Sequence, residues 1–286
     1  MVKAFKPHPR FPSISITGGW CELSCDFCRA RVLRSMLWAT TPSELYQLCE
    51  KLKRKGAFGV LISGGFTKEC QLPLQPFSET LRAIKEGLGL FISVHACLVD
   101  EDYAAMLRES RVDLVDLSLY DENVLRSVMG VKAPPVSVEE TLENLHGNGP
   151  FYVVPHVLAG AAGGKITTEK GLLDTLTSYD PYLLVFLVLM PVKGTPVEAL
   201  EPPAVEDVVE LVKYARKKLP KAEISLGCMR PRGAYSVELE RRLMEEELID
   251  RIALPKSFKP KAYLESCCSL PEAVLKYKLL QPSYEL

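Results

Sequence analysis

Short apolar stretches alternate with longer amphipathic ones along almost the whole of this 286-residue chain. The apolar stretches have the length and composition of strands, and the segments between them repeat their apolar positions every three or four residues, as helices do. Eight strands are predicted in this way, at residues 13–17, 58–62, 90–97, 112–120, 152–158, 183–190, 224–228 and 249–254. Strands that alternate regularly with helices form parallel sheets. Eight such units predict an α/β fold, a (β/α)8 TIM-type barrel that is complete or partly open.

The predicted helices begin at recognisable signals. Thr41, Pro42 and Glu44 form one predicted capping box, and Ser137 with Glu140 forms a second. The helices are predicted at residues 42–55, 76–88, from 101 onward, 137–147, 169–179, 205–218 and 237–247.

No linker or shift in composition divides the chain. A single domain is therefore predicted over residues 1–286, with a barrel core of about 13–255 and a C-terminal tail, 256–286, that covers the barrel mouth.

Composition narrows the class of protein. With 47% hydrophobic and 25% charged residues, the chain has the make-up of an ordinary globular protein. The formal net charge is −1 and the pI about 6.5, so neither a nucleic-acid nor a membrane partner is expected. The first residues lack the apolar core of a signal peptide, and a cytoplasmic location is expected. Nine cysteines in such a chain favour metal binding or cysteine chemistry.

Three of these cysteines, Cys21, Cys25 and Cys28, form a C-x3-C-x2-C run directly after the first predicted strand. Thiolates in one short loop can converge on a metal centre. Structural zinc sites use four protein ligands, and no fourth Cys or His lies close by in the sequence. An iron–sulfur cubane with three cysteine ligands and one open iron fits the ligand count better. A partial zinc knuckle or a chance group of buried thiols are the alternatives.

With Phe27 immediately before the third cysteine, the run resembles the signature of the radical S-adenosylmethionine (SAM) family. The resemblance implies that the three cysteines hold a [4Fe-4S] cluster whose open iron chelates the amino and carboxylate groups of SAM. It implies that an electron then splits SAM to a 5′-deoxyadenosyl radical, which takes a hydrogen atom from the substrate. This chemistry belongs to the cofactors, so no side chain is assigned as catalytic.

Ser63, Gly64 and Gly65 follow the second predicted strand, where the family carries a glycine-rich motif. Glycines let a backbone approach a ligand closely, and the resemblance implies that these residues bind the amino group of SAM. Phe66 occupies the position where the family often has Glu. No residue of this chain is therefore predicted for the role of that glutamate. An ordinary turn is the alternative.

Strand periodicity places several polar residues on one face of each strand. The residues that share such faces are Ser13, Ser15 and Thr17; Ser93, His95 and Cys97; and Asp116, Ser118 and Tyr120. A barrel interior with these groups near the carboxyl ends of its strands predicts a binding cavity there. We expect His95, Asp116, Ser118 and His156 to contact the cofactor; for the histidines, a hydrogen-bonded place in the core is the alternative.

Gly194 lies in a Gly194-Thr195-Pro196 turn after the sixth predicted strand. This turn resembles the one that meets adenine in many radical SAM barrels, and Gly194 is therefore expected to bind the cofactor. An ordinary Pro/Gly turn is the alternative.

A second group of cysteines falls late in the chain. Cys228 ends the seventh predicted strand, and Cys267 and Cys268 lie in the tail. These three are expected to hold an auxiliary iron–sulfur cluster, with Ser269, Arg230 or Cys97 as a completing ligand. Buried, idle thiols are the alternative; Cys49, inside a predicted helix, is expected in the core.

Beyond the cysteine run, the chain resembles the archaeal biotin synthase-like radical SAM proteins. The stretches behind this resemblance are Leu61-Ile62-Ser63-Gly64-Gly65, Val94-His95, Pro155-His156, Gly194-Thr195-Pro196 and Leu226-Gly227-Cys228-Met229-Arg230-Pro231. That group includes the two-component lipoyl synthases, in which paired radical SAM proteins insert sulfur into a protein-bound octanoyl chain.

The resemblance implies three partners: a second radical SAM component, an octanoylated carrier protein or peptide, and an electron donor such as ferredoxin. Two other functions stay open. One is a biotin synthase-like reaction on a small molecule or cofactor precursor. The other is a non-catalytic iron–sulfur or zinc protein that acts as a partner or redox sensor.

Overall fold

The computed structural model describes residues 2–279, and a ten-stranded sheet forms its centre. All neighbouring strands run parallel, in the spatial order β3-β2-β4-β5-β6-β7-β8-β9-β10-β1. The strands are β1 Lys3–Phe5, β2 Ser13–Ser15, β3 Leu37–Trp38, β4 Gly59–Ser63, β5 Phe91–Ala96, β6 Leu114–Leu119, β7 Tyr152–Ala159, β8 Leu183–Val188, β9 Glu223–Leu226 and β10 Arg251–Ala253.

The sheet curls into an open (β/α) barrel of the TIM type, as predicted. All eight predicted strands are present. The structure adds two short ones, β1 and β3, which form the two ends of the sheet. In the described chain β1 pairs with β10 and β3 pairs with β2, and the two ends do not pair with each other. The expected number of strands was therefore too low, and the barrel is the partly open form.

Helices follow most strands and cover the outer face of the sheet. They are α1 Pro42–Arg54, α2 Ser78–Ala83, α3 Glu101–Glu109, α4 Glu122–Ser127, α5 Val138–Asn148, α6 Glu169–Leu176, α7 Val205–Lys218, α8 Ala234–Glu245 and α9 Glu272–Leu279. Both predicted capping boxes are confirmed: Thr41 caps α1 and Ser137 caps α5, each with the glutamate three residues later. The helix predicted at 76–88 is composite, because α2 continues into a π-helical turn at Ile84–Leu88.

Apolar side chains form two layers. A large outer cluster fills the space between the sheet and the helices. A smaller inner cluster fills the barrel near the amino ends of the strands, and it includes Phe5, Phe11, Phe58 and Phe91 together with Leu270 of the tail. The interior is therefore closed by apolar contacts at one end, which leaves the polar inward residues nearer the carboxyl ends of the strands.

The described part of the tail contacts both β1 and the interior. The Leu264 backbone N–H donates to the Ala4 carbonyl over 2.8 Å, beside β1. The fully buried Arg251 guanidinium then donates to the carbonyl oxygens of Cys268 and Leu270, at 2.8 and 2.5 Å, and pairs with Glu223. Residues 280–286 of the predicted tail lie outside the described residues, and the proposed cover of the barrel mouth stays a prediction. Among residues 2–279, no helix combines the length and apolarity needed to cross a bilayer.

Candidate active site

The first cysteine group lies in the loop between β2 and β3. The Cys25 side chain is buried, and those of Cys21 and Cys28 are half-buried. The Cys25 carbonyl accepts hydrogen bonds from the backbone N–H groups of Cys28 (3.2 Å) and Arg29 (3.0 Å). The Phe66 backbone N–H donates to Cys21 Sγ over 3.4 Å. The loop therefore turns tightly, and its first thiol receives a main-chain donor from the segment that follows β4.

Gly64 and Gly65 lie where the end of β4 packs against this loop. A β-carbon at Gly65 would overlap the Trp20 carbonyl oxygen and the Cys21 backbone. The Gly65 N–H donates to Thr17 Oγ1 over 2.7 Å, and that hydroxyl donates to the Trp20 carbonyl over 2.9 Å. The glycine motif is thus required for loop packing, whereas its contact with SAM stays a prediction.

The thiols fit a polynuclear cluster better than a single ion. Within residues 2–279, no three or more His, Cys, Asp or Glu side chains are gathered around a point where one metal ion would bind. A cubane does not need such a point, since each thiolate binds its own iron. Burial raises the pKa of the Cys25 and Cys28 thiols, so metal binding must displace their protons. The Phe66 amide at Cys21 is the kind of donor that tunes a ligand sulfur.

Phe27 fixes the cysteine loop over the end of β6. Its ring stacks on Tyr120, with centroids 5.6 Å apart and planes inclined by 22°. The Asp26 backbone N–H donates to the Val128 carbonyl over 3.1 Å. These contacts make Phe27 a positioning residue for Cys25 and Cys28. Its contact with the cofactor stays a prediction.

A chain of polar contacts crosses the barrel interior from β4 to β6. Ser63 Oγ lies 3.3 Å from His95 Nδ1, and His95 Nε2 lies 2.7 Å from Ser118 Oγ. Burial, with a smaller effect of nearby His156, lowers the pKa of His95 to about 4. The imidazole is therefore neutral near pH 7. The structure thus brings Ser63 of the glycine motif together with His95 and Ser118, two of the inward residues that strand periodicity selected.

Asp116 and His156 form a second polar pair in the interior. Asp116 accepts a hydrogen bond from Ser93 Oγ, while its Oδ1 atom has no hydrogen-bond partner in the described residues. His156 Nδ1 lies 3.0 Å from the Val154 carbonyl, so this nitrogen carries the proton. His156 Nε2 then faces Asp116 Oδ1 at 3.7 Å, too far for a direct hydrogen bond. Both atoms are available to a bound molecule.

Gly194 contacts the end of the cysteine loop. Arg31 Nη2 donates to the Gly194 carbonyl over 3.2 Å, and the guanidinium occupies the space that a β-carbon at Gly194 would need. The φ angle of Gly194 is +75°, which also favours glycine. The contact of Arg31 with Gly194 could not be predicted from the sequence, because no local pattern connects residues that are 163 positions apart.

The second cysteine group lies across the barrel from the first, at β9 and the tail. Cys228 is exposed to solvent. Desolvation by the surrounding protein raises the pKa of its thiol to about 11, and Cys267 adds to this rise. Cys267 Sγ lies 3.0 Å from Ser269 Oγ. Cys268 is buried beside them. Its contact with Cys267, followed by burial, raises the pKa of its thiol.

Two of the three residues expected as an additional ligand of the auxiliary cluster have other partners. Arg230 is buried, pairs with Glu240 at 2.6 Å and donates to the carbonyl of Gly227. Cys97 lies against Cys70, with 2.8 Å between their sulfurs. Ser269 therefore remains as the expected ligand beside the thiols.

A family comparison covers the part of the chain that holds the cysteine loop. The model of the radical SAM superfamily matches residues 15–177, which include the cysteine loop, the glycine motif and the polar interior. The chain belongs to the radical SAM superfamily.

Named relatives agree with this membership. The chain is 25% identical to biotin synthase of Prochlorococcus marinus over 232 residues, 76% of this chain and 67% of that protein. Among solved structures, methylornithine synthase superposes with a TM-score of 0.61 at 18% identity and covers 99% of this chain and 83% of that one. The [FeFe]-hydrogenase maturase HydG of Carboxydothermus hydrogenoformans gives 0.64 at 18% identity, with 99% and 68% covered. At these identities the structures show the fold.

This protein is thus a radical SAM enzyme, as predicted, and its sequence is similar to that of biotin synthase. Membership implies a [4Fe-4S] cluster and SAM, and the cysteine loop fits them. The cluster supplies one-electron reduction of SAM when bound. What the chain itself contributes is the placement of the three thiols by Gly65, Phe66 and Phe27.

Proposed function

We propose that this enzyme inserts sulfur into an unactivated C–H bond of a protein-bound octanoyl chain, as one component of a lipoyl synthase. An auxiliary iron–sulfur cluster on Cys228, Cys267 and Cys268, with Ser269 as the nearby oxygen ligand, forms part of this proposal. Such a cluster would supply the sulfur atom and accept the electron that C–S bond formation releases.

The observation that carries the proposal is an aliphatic strip that ends at Cys228. Leu158 and Leu187 are paired neighbours on β7 and β8, and both remain partly exposed toward the interior. The backbone of Gly227, directly before Cys228, packs so closely on Leu187 that no β-carbon would fit. A hydrocarbon chain along this strip would bury its surface against leucine and reach the thiol group.

Polar groups of the interior would hold the other end of the substrate. Asp116 Oδ1 and His156 Nε2 offer a hydrogen-bond acceptor each to an amide N–H, such as that of an acylated lysine. The neutral His95, fixed between Ser63 and Ser118, adds no charge that would attract water or an ion into an aliphatic path.

The first test is the iron and sulfide content of the anaerobically reconstituted enzyme, with Mössbauer or EPR spectra. Wild type is compared with the Cys228→Ala/Cys267→Ala/Cys268→Ala variant. We expect two clusters in wild type and one in the variant, with SAM cleavage retained. Cys49→Ala is the matched control, since Cys49 is a fully buried thiol in the outer core, away from both groups.

A single cluster in both proteins would remove the sulfur donor and favour a one-cluster reaction on a small molecule. Two clusters in wild type would justify an assay for sulfur in an octanoyl-lysine product. An enzyme that binds SAM but never cleaves it under reducing conditions would contradict the catalytic role and favour an iron–sulfur partner protein.

A further inference from the structure

The open side of the barrel is a gap between the two ends of the sheet, called the seam below. One border is residues 29–38, the first lip, which end in β3. The other is residues 254–263, the second lip, which follow β10 next to β1. The connection from β1 to β2, residues 6–12, crosses this gap, and the eight Cα–Cα steps from Phe5 to Ser13 reach at most about 29 Å. The lips are therefore close enough for one protein surface to contact both.

Exposed apolar side chains concentrate at the seam. Eight large apolar side chains are exposed in the described residues, and five of them lie on or beside the lips. These five are Trp20, Leu37, Trp38, Leu254 and Tyr263. Trp20 is 49% and Trp38 56% exposed, and Trp20 directly precedes the cysteine loop. Exposed tryptophan and tyrosine in one place are typical of protein interfaces.

Both lips are also basic. Each carries three cations and no Asp or Glu, in a chain whose net charge is −1. None of the six cations forms an ion pair with another residue in the described part of the chain. They are Arg29, Arg31 and Arg34 in the first lip and Lys256, Lys259 and Lys261 in the second. Unpaired charge of one sign on both sides of an opening favours a partner of the opposite sign.

The first lip favours a protein over a nucleic acid. β3 pairs with β2 on one side, and its other edge has no strand partner in residues 2–279. Such an edge offers backbone donors and acceptors to an extended peptide. The aliphatic side chains of Leu37 and Leu254 stack poorly on bases but pack well in a protein interface.

We propose that the seam is the docking surface for an acidic protein that presents the reacting group on a flexible side chain. Carboxylates of that protein would pair with the cations of the two lips, and Trp20 and Trp38 would be its apolar anchors. The bound side chain would then enter the interior past the cysteine loop. The idea of a protein-bound substrate rests on the proposed function; the surface itself rests on the exposed residues and charges.

Binding to an octanoylated, acidic carrier domain tests the proposal. The test variant is Lys256→Glu/Lys259→Glu/Lys261→Glu, measured by biolayer interferometry with wild type. We expect the dissociation constant to rise by at least about 30-fold near 50 mM NaCl, and the difference to shrink as salt is added. Turnover of SAM with a short, uncharged octanoyl-lysine peptide should stay within about two-fold of wild type, because the peptide has no carboxylates to pair with the lip lysines.

The matched control is Lys51→Glu/Lys53→Glu/Lys55→Glu. These lysines are exposed on and just after α1, and the control makes the same change in net charge. The control should bind the carrier domain within about three-fold of wild type. A second test variant, Trp38→Ala, should weaken binding by about ten-fold at every salt concentration, because it removes an apolar contact.

Three results would overturn the proposal: no carrier binding by wild type, an equal loss in the lip and control variants, or binding of structured RNA by the seam in place of the carrier. Carrier binding that depends on the lips, without any sulfur-containing product, would support the docking surface while contradicting the proposed function.

Discussion

Replacement of Gly65 by alanine separates loop packing from cofactor contact. The new methyl group would overlap the Trp20 carbonyl and the Cys21 backbone, and neither can rotate away as a side chain could. Overpacking of this kind costs about 1–3 kcal/mol, and a backbone clash belongs at the upper end. A shift of the loop would also lengthen the Gly65–Thr17 and Phe66–Cys21 hydrogen bonds, at about 1 kcal/mol each.

We therefore expect Gly65→Ala to lower the free energy of unfolding by about 3–5 kcal/mol, which corresponds to a fall in Tm on the order of 10 °C. Displacement of Cys21 should also reduce iron per chain, because one of three ligands moves from its place. The assays are anaerobic thermal denaturation of the metal-free protein, and iron content after reconstitution.

Gly147→Ala is the control for this substitution. Gly147 lies in α5, and no atom lies within 4 Å of the position of its β-carbon. Alanine there should stabilise the protein by up to about 1 kcal/mol and leave the iron content unchanged. Wild-type stability and iron content in Gly65→Ala would refute the packing role. Normal iron with lost SAM cleavage would show that the glycine acts on the cofactor instead.

Two further predictions concern buried groups. The folded state holds the pKa of His95 near 4, below its ordinary 6.5. The free energy of unfolding is therefore at its full value above pH 6.5 and decreases as the pH falls toward 4. The decrease is at most about 3 kcal/mol, because the His95 side chain is half-buried. His95→Gln should flatten a plot of unfolding free energy against pH over that range; an unchanged slope would contradict the assignment. Glu240→Gln leaves the buried Arg230 guanidinium without its carboxylate and should cost about 3 kcal/mol in chemical denaturation. An unaltered denaturation midpoint would show that the carbonyl acceptors alone satisfy Arg230.

Local signals made most of the fold predictable. Long apolar runs identified the central strands, and short-range side-chain pairs identified the starts of α1 and α5. β1 and β3, of three and two residues, were not found this way. β1 exists because it pairs with Arg251–Ala253, at the other end of the chain, and no local pattern encodes that pairing.

The same distinction applies to the site. Strand periodicity is local, so the inward direction of His95 and Ser118 followed from the sequence. Their contacts with each other and with Ser63 depend on the register between strands. Arg230 illustrates the limit. Its position two residues after Cys228 favoured a role as cluster ligand, but the structure commits its donors to Glu240, a helix residue ten positions later.

Pairing between the first and last strands also sets an order of events during synthesis. Lys3–Phe5 leaves the ribosome long before its partner Arg251–Ala253, and at 5–20 residues per second the delay is roughly 12–50 s. During that time the nascent sheet has unpaired edges that other chains could join. The cysteine loop, in contrast, meets Gly65 and Phe66 after only about 45 further residues. The cofactor-binding end can therefore assemble early, while β1 must wait for its partner until Arg251–Ala253 has been synthesised.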